Sequence, residues 1–247
     1  MTDYLRADFS QSRFEEVDFS RSRFHNVYFK DTVIRGAWLQ RVEVDGYIDT
    51  VTINGVDVGP LIEAELDRRD PDRTLLRPAD AEGFRTAWNV VVRRWDAAVQ
   101  RARSLPEDVL HERVDGEWSF IETLRHLVFA TDAWVLRAVL GNPAPFHPLG
   151  LVPSDMPVDT PAVPRDTEAR PSLDEILAVR TERMAAVARA LDELTDEQLD
   201  AMTQPVLESG YPESESFAVR RCFQTVVNEE WLHREYAERD LARLEGQ

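Results

Sequence analysis

The clearest pattern of apolar and polar positions lies near the end of the chain, where residues 216–244 repeat apolar side chains at helical spacing. At about 100° per residue, one face of this helix holds Val219, Cys222, Val226, Glu229, His233, Ala237, Leu241 and Leu244. A glutamate and a histidine therefore interrupt an apolar stripe. Because an unpaired buried carboxylate is costly, we expect Glu229 to be neutralised, paired with a cation or bound to a metal.

Three more long helices are predicted upstream. Ser119 and Glu122 form a capping box at the start of the second, and residues 142–171 are a proline-rich connection without periodicity. The four predicted helices cover about 79–104, 119–140, 172–191 and 216–244. This pattern predicts a four-helix bundle over residues 79–247, a frame in which metal and ligand sites are built from inward side chains of facing helices.

The second predicted helix is apolar nearly all round, which implies burial on more than one side. A homodimer contact is one way to cover its second side. The connection over residues 142–171 is long for a compact domain, and covers of active sites are among the usual reasons for such a loop.

A period of five residues governs the start of the chain, between Ala7 and Gly46. Its central residues are Phe9, Phe14, Phe19, Phe24, Phe29, Ile34, Leu39 and Val44. Neither a helix nor a flat strand gives this period. The stretch resembles the pentapeptide-repeat proteins, whose repeats wind a right-handed β-solenoid. Residues 51–53 and 56–58 would continue its wall.

We therefore expect a mainly α protein in three parts: a pentapeptide-repeat β-solenoid stub over residues 1–59, a linker with a short helix over 60–78, and the bundle over 79–247. Stacked repeats each bury only part of their own core, so the stub is interpreted as a structural cap or as a platform for a protein partner. Some larger members of that repeat family mimic DNA with an acidic surface. Nine acidic and seven basic side chains in residues 1–50 argue against mimicry here.

Composition narrows the function classes. A formal net charge of −17 argues against partners such as nucleic acid or an anionic membrane surface. The chain has one cysteine, which excludes an internal disulfide framework and suits a reducing compartment. No apolar run approaches the length of a membrane span. These features predict a cytoplasmic protein.

Three residues form the candidate chemistry. Glu229 and His233 lie one helical turn apart on one face, close enough to share a metal ion. His126 lies on the second helix in a stripe with Phe129 and Ala133, so it too is expected to face the bundle interior. A lone inward histidine is more often a core residue than a ligand. The alternative to a metal is an internal ion pair between Glu229 and one of the histidines.

The bundle resembles the DinB-like four-helix proteins. The resemblance rests on Gly116-Glu117-Trp118-Ser119, His126-Leu127, Asn228-Glu229-Glu230-Trp231-Leu232-His233 and Tyr236-Ala237-Glu238-Arg239-Asp240-Leu241. It implies a divalent metal, zinc or nickel, held by His126, Glu229 and His233. Most members use three histidines. The set with one glutamate resembles the branch of mycothiol-dependent maleylpyruvate isomerases. The resemblance thus implies an enzyme that activates a low-molecular-weight thiol for transfer to, or isomerisation of, a small-molecule substrate.

Other residues admit two interpretations. Arg137, on the face of His126, and Arg221, near the start of the last helix, could bind an anionic substrate or cofactor, or form salt bridges. Glu122 could be a rival metal ligand or simply the capping residue. The whole protein also admits a second function class, a non-catalytic metal-binding or protein-interaction module in which the metal only stabilises the bundle.

Overall fold

Residues 3–46, 48–153, 156–157, 160 and 162–246 are described by the computed structural model. The chain divides into two units, Met1–Ile48 and Asp49–Gln247. Regular structure begins in the second unit with β1 (Thr52–Ile53), β2 (Val56–Asp57), α1 (Gly59–Arg69), α2 (Ala81–Ala102), α3 (Phe120–Thr131), α4 (Leu173–Asp192), α5 (Asp196–Leu199) and α6 (Val219–Leu244). Short 3₁₀ turns span Pro71–Leu76 and Val109–His111, and a π-helical segment spans Asp132–Arg137.

The four long helices α2, α3, α4 and α6 form the predicted bundle. Helices α2 and α3 each pack against both α4 and α6. Their inward faces share one apolar core, which includes Phe84, Trp88, Trp95, Leu124, Leu127, Ile176, Leu191, Phe223 and Val226. Each large apolar side chain buried there contributes about 1.5–3 kcal/mol. In the part of the chain that the structure describes, no helix is long and apolar enough to cross a membrane.

The capping box at the start of α3 is confirmed. The Ser119 hydroxyl accepts a hydrogen bond from the Glu122 backbone N–H at 3.2 Å, and the Glu122 carboxylate accepts one from the Ser119 N–H at 2.9 Å. The same carboxylate also pairs with Arg113. Glu122 therefore fixes the first turn of the helix that carries His126, and the alternative in which Glu122 is a metal ligand is not supported.

The α-helix predicted to continue to Leu140 ends earlier. After Thr131 it widens into the π-helical segment, which begins at Asp132. The Asp132 carboxylate is fully buried and accepts hydrogen bonds from Arg183 and from the backbone N–H of His147, both at 2.8 Å. These bonds tie the end of the helix to α4 and to the connection that follows it.

The second apolar side of α3 is covered by the chain itself. Phe129 and Ala133 pack against Val152, Met156 and Val163 from the connection between α3 and α4. The all-round apolarity that suggested a homodimer thus has an internal explanation. The same packing supports the interpretation of this connection as a cover, because the connection lies on the helix that carries His126.

The first unit keeps the five-residue period but shows no solenoid. A positive φ recurs at every fifth residue, at Arg6, Gln11, Glu16, Arg21, Asn26, Asp31, Gly36 and Arg41. The rings of Tyr4, Phe9, Phe14, Phe19, Phe24 and Phe29 form a ladder with neighbouring centroids 5.6–5.9 Å apart. Residues 3–46 contain no strand. The five phenylalanine side chains of the ladder remain 48–61% exposed, because so few repeats cannot cover one another.

Residues 51–58 form a hairpin rather than a continuation of the repeat wall. Strands β1 and β2 pair with each other in antiparallel register, Thr52 with Asp57 and Ile53 with Val56. Asn54 and Gly55 at the turn have φ values of 50° and 83°, as a two-residue type I′ turn requires. The expectation for this stretch was wrong because an Asn-Gly turn favours local pairing.

Replacing Glu122 by Gln should lower the free energy of unfolding by about 1 kcal/mol at pH 7. Burial disfavours the charged carboxylate, but hydrogen bonds from Arg113 and Ser119 outweigh it and lower the pKa of Glu122. The stabilisation should therefore be complete above the pKa of an unfolded glutamate, about 4.3, and be lost as the pH falls through the lower folded-state pKa. Urea unfolding at several pH values measures this. Glu182→Gln on the exposed face of α4 is the control, and an effect of Glu122→Gln that does not change with pH would contradict the assignment.

Candidate metal centre

Helices α3 and α6 bring the three predicted ligands together. His126 projects from the middle of α3, and Glu229 and His233 from successive turns of α6. Glu229 Oε2 lies 3.2 Å from His126 Nε2 and 3.1 Å from His233 Nε2. One ligand atom from each residue can be chosen so that all three lie within 4.8 Å of one another. The group is therefore a candidate site for a metal ion.

The site lies at the border between the bundle core and solvent. The His126 side chain is 7% exposed, whereas that of Glu229 is 34% exposed. One side of the site is consequently enclosed by the bundle. The Glu229 side is partly exposed to solvent.

The hydrogen bond at His126 Nδ1 determines whether His126 Nε2 carries a hydrogen or a lone pair. His126 Nδ1 lies 3.0 Å from the backbone oxygen of Leu151. A carbonyl oxygen only accepts, so Nδ1 must carry the hydrogen. In a neutral ring Nε2 then presents a lone pair to Glu229 Oε2, and two acceptors face each other at 3.2 Å. Either a proton on His126 or a cation shared by the two atoms removes this conflict.

The surroundings of the Glu229 carboxylate favour its charged form, which can bind a cation. Burial disfavours its charged form, but hydrogen bonds from His126 and His233 and their positive charge more than offset this, so its pKa lies far below the ordinary value. A metal ion would supply the same positive charge without protons on the rings. Ligand atoms around an ion bound at 2.0–2.1 Å are separated by about 2.9 Å in octahedral and about 3.4 Å in tetrahedral geometry. The two separations from Glu229 Oε2, 3.1 and 3.2 Å, lie in this interval, and the three ligand atoms lie within 4.8 Å of one another, so the residues could hold a metal ion.

A tryptophan that the sequence indicated only as part of a motif packs on both imidazoles. The Trp118 ring centroid lies 4.5 Å from that of His126 and 5.8 Å from that of His233. Trp118 directly precedes the Ser119 cap of α3, so the capping box also fixes the approach of the indole. The Leu151 carbonyl is a second component that sequence reasoning missed, since a backbone oxygen has no side-chain signature.

Tyr236 lies beside His233, and Arg239 connects Tyr236 to Asp240. The Tyr236 ring lies 6.0 Å from His233, and the guanidinium of Arg239 lies 5.4 Å from the Tyr236 ring centroid. Arg239 binds Asp240 at 2.8 Å and also pairs with Glu117, the residue before Trp118. This network links the C-terminal half of α6 to the segment that places the indole.

The two arginines considered for substrate binding differ in the structure. Arg137 is fully buried, and its guanidinium donates to the backbone oxygens of Pro143 at 2.9 Å, Pro212 at 3.3 Å and Glu208. It therefore anchors two connections, and its contact with a substrate stays a prediction. Arg221 is exposed, with its guanidinium 5.9 Å from the Phe217 ring centroid. Its position two turns before Glu229 is about 12 Å away by helical rise.

Cys222 is a small core residue and not part of the ligand group. It is fully buried, and burial raises the pKa of its thiol to about 11. A thiolate there would be strongly disfavoured.

The neighbour of the candidate ligand Glu229 has a different role that the sequence did not reveal. Glu230 is buried and accepts two hydrogen bonds from Arg180 of α4, at 2.8 and 3.1 Å. Its backbone oxygen accepts a third bond, from the Trp95 indole N–H at 3.1 Å. A second apolar stripe on α6, formed by Phe223, Val227 and Trp231, was the available signal that this face is also buried.

Comparison with known proteins identifies a family that matches the bundle. The family model described as the DinB superfamily matches residues 90–237, well over half of the chain. The matched range contains His126, Glu229 and His233, and it does not include the first unit. Neither a curated protein nor a solved structure gives a significant match.

The adjacent glutamates of α6 should respond differently to the same substitution. Glu230→Gln should lower the free energy of unfolding by about 3–5 kcal/mol, because the buried Arg180 loses its countercharge and cannot release its proton. Glu229→Gln should change the stability of chelator-treated protein by less than about 1 kcal/mol, because Glu229 is partly exposed and no buried arginine depends on it for a countercharge. Urea unfolding in the presence of a chelator compares the two variants. Equal losses would show that Glu229 is a structural residue like its neighbour.

Proposed function

We propose that this chain, which belongs to the DinB superfamily, is a divalent-metal-dependent enzyme whose metal ligands are His126, Glu229 and His233. The observation that carries the proposal is the opposition of two acceptors, His126 Nε2 and Glu229 Oε2, at 3.2 Å. A shared metal ion satisfies both atoms and the nearby His233 Nε2 at once. The superfamily is typically metal-binding, which agrees with this assignment.

The ligand set limits the choice of metal. Two imidazoles and one carboxylate suit zinc, and nickel or another first-row divalent ion is also compatible with them. Three protein ligands leave coordination positions open, which is characteristic of catalytic rather than structural zinc sites. Solvent exposure on the Glu229 side provides the route to those positions.

The proposed reaction is the activation of a low-molecular-weight thiol for transfer or isomerisation of a small-molecule substrate. When bound, the ion would lower the pKa of a thiol or water in its open position and polarise a carbonyl. The chain's residues hold this arrangement. Leu151 fixes the tautomer of His126, Trp118 covers both imidazoles, and the carboxylate of Glu229 keeps the net charge of the site low.

The first unit is proposed to be a pentapeptide-repeat segment that serves as a platform for a protein partner. The recurring positive φ and the exposed ring ladder support this proposal. The proposed three-part organisation has a first part at 1–59, in which the repeats are followed by the 51–58 hairpin, a linker at 60–78 and the catalytic bundle at 79–247. The acidic net charge and single buried cysteine support a cytoplasmic protein that binds neither nucleic acid nor membranes.

Two alternatives have specific observations in their favour. The exposed ladder of the first unit favours a non-catalytic interaction module, in which the metal only stabilises the bundle. The hydrogen-bond distances from Glu229 Oε2 to both imidazoles favour an internal ion pair that needs protons and no metal. Metal content separates the ion pair from the other two functions, and turnover separates enzyme from module.

Purified protein should contain about one divalent ion per chain. His126→Ala and His233→Ala should each lose the ion and lower the melting temperature of the metal-loaded protein, while His25→Ala in the first unit should change neither. Elemental analysis by mass spectrometry and thermal unfolding with and without chelator provide the two measurements. If the ion is absent, and the ligand variants melt like the unchanged protein, the metal function is wrong and the ion pair is favoured.

The metal-loaded protein should turn over an electrophilic substrate with one member of a panel of low-molecular-weight thiols. Glu229→Gln and prior chelation should each reduce the rate at least about 100-fold, since both remove the activating ion. Thiol consumption and product formation are followed by chromatography. Stoichiometric metal without turnover across the panel would favour the interaction module.

A further inference from the structure

We propose that Arg125, the residue before the ligand His126, is a positioning residue for the metal centre. It acts through the segment 149–151, which lies between the Arg125 side chain and the His126 ring. This inference rests on the proposed function, because it concerns the geometry of a metal ligand. Arg125 itself does not touch the ligand group.

The side chain of Arg125 is committed to backbone oxygens. It is fully buried, and it donates to Leu149 O at 2.9 Å, to Ala169 O at 2.8 Å and to Asp166 O. All three acceptors belong to the connection between α3 and α4. A buried guanidinium is costly unless its N–H groups are satisfied, so these carbonyls and Arg125 hold each other in place.

The backbone carbonyl of Arg125 also binds the segment 149–151. Leu151 N–H donates to the Arg125 carbonyl oxygen at 3.1 Å, and the Leu151 carbonyl oxygen accepts from His126 Nδ1 at 3.0 Å. The segment is therefore bound to Arg125 of α3 at Leu149 and at Leu151.

These contacts form a short chain of cause and effect. Arg125 fixes the Leu149 carbonyl, and with it the peptide segment that ends in the Leu151 carbonyl. The Leu151 carbonyl keeps the hydrogen of His126 on Nδ1 and the lone pair on Nε2. Without that restraint the His126 ring can rotate or change tautomer, and the Nε2 lone pair no longer points toward Glu229. Partners of this kind typically change metal affinity 10- to 100-fold.

Arg137 provides a matched control on the same helical segment. It is also fully buried, and it also donates to three backbone oxygens, those of Pro143, Glu208 and Pro212. None of these three oxygens belongs to the segment 149–151. Loss of a buried guanidinium is thus common to both sites, whereas the link to His126 is particular to Arg125.

The experiment compares Arg125→Met and Arg125→Lys with Arg137→Met and Arg137→Lys, using Co²⁺ as the probe. Arg125→Met should weaken Co²⁺ binding about 10- to 100-fold and shift the visible absorption bands of the bound ion. Arg125→Lys, which keeps a charged donor, should recover part of the affinity. The Arg137 variants should lose comparable stability in urea while binding Co²⁺ within about twofold of the unchanged protein, with the same spectrum.

A second readout reports the ring directly. In Zn²⁺-loaded protein with ¹⁵N-labelled histidine, NMR should show the Nδ1–H tautomer of His126 in the unchanged chain and in the Arg137 variants, and a mixture of tautomers in the Arg125 variants. If Arg125→Met does not fold, Arg125→Lys carries the comparison.

The outcomes separate this inference from the function on which it rests. If the unchanged protein does not bind Co²⁺, both are overturned. If it binds Co²⁺, and the Arg125 variants match it in affinity, spectrum and tautomer, the apolar packing of Leu151 and Val152 suffices and only the role of Arg125 is overturned. The same result follows if Arg125 and Arg137 variants lose affinity equally.

Discussion

The buried ion pair between Glu230 and Arg180 sets the rotation of α6, and the candidate site depends on that rotation. Two hydrogen bonds to Arg180 and one from Trp95 hold Glu230 toward α4 and α2. Neighbouring helical residues point about 100° apart, so Glu229 is directed toward α3 instead. A rotation of α6 that moved Glu229 away from His126 would also expose or separate this buried charge pair. The site is thus aligned by a contact on another face of the same helix.

Within the site, one backbone carbonyl determines the chemistry. Because Leu151 accepts from Nδ1, His126 offers Nε2 as a ligand atom, and the geometry around Glu229 then requires positive charge. Histidines that bind metals commonly have such a partner on the second nitrogen. The connection that provides it lies on the apolar outer side of α3, next to Phe129 and Ala133. Packing of that connection and orientation of the ligand are therefore parts of one arrangement.

Local rules in the sequence predicted the bundle and the ligands. Helical periodicity and the Ser119–Glu122 capping box depend on neighbours within a few residues, and they are confirmed along with the meeting of His126, Glu229 and His233. The buried arginines were not predictable in this way. Arg125 and Arg137 bind carbonyl oxygens of distant connections, and no side-chain type marks such an acceptor. In the first unit the five-residue period was visible, but periodicity alone does not establish that enough coils stack to bury it.

The hydrogen bonds from Arg125 and Arg137 to backbone oxygens have a consequence for how the sequences of proteins with this bundle can diverge. Every residue type has a carbonyl oxygen, so the anchored positions of the connections do not depend on particular side chains. Mutations can then accumulate at the rim of the site while the two guanidinium groups keep the backbone path and the ring of His126 unchanged. Such a division separates the part of the protein that is free to vary from the part that holds the candidate metal centre.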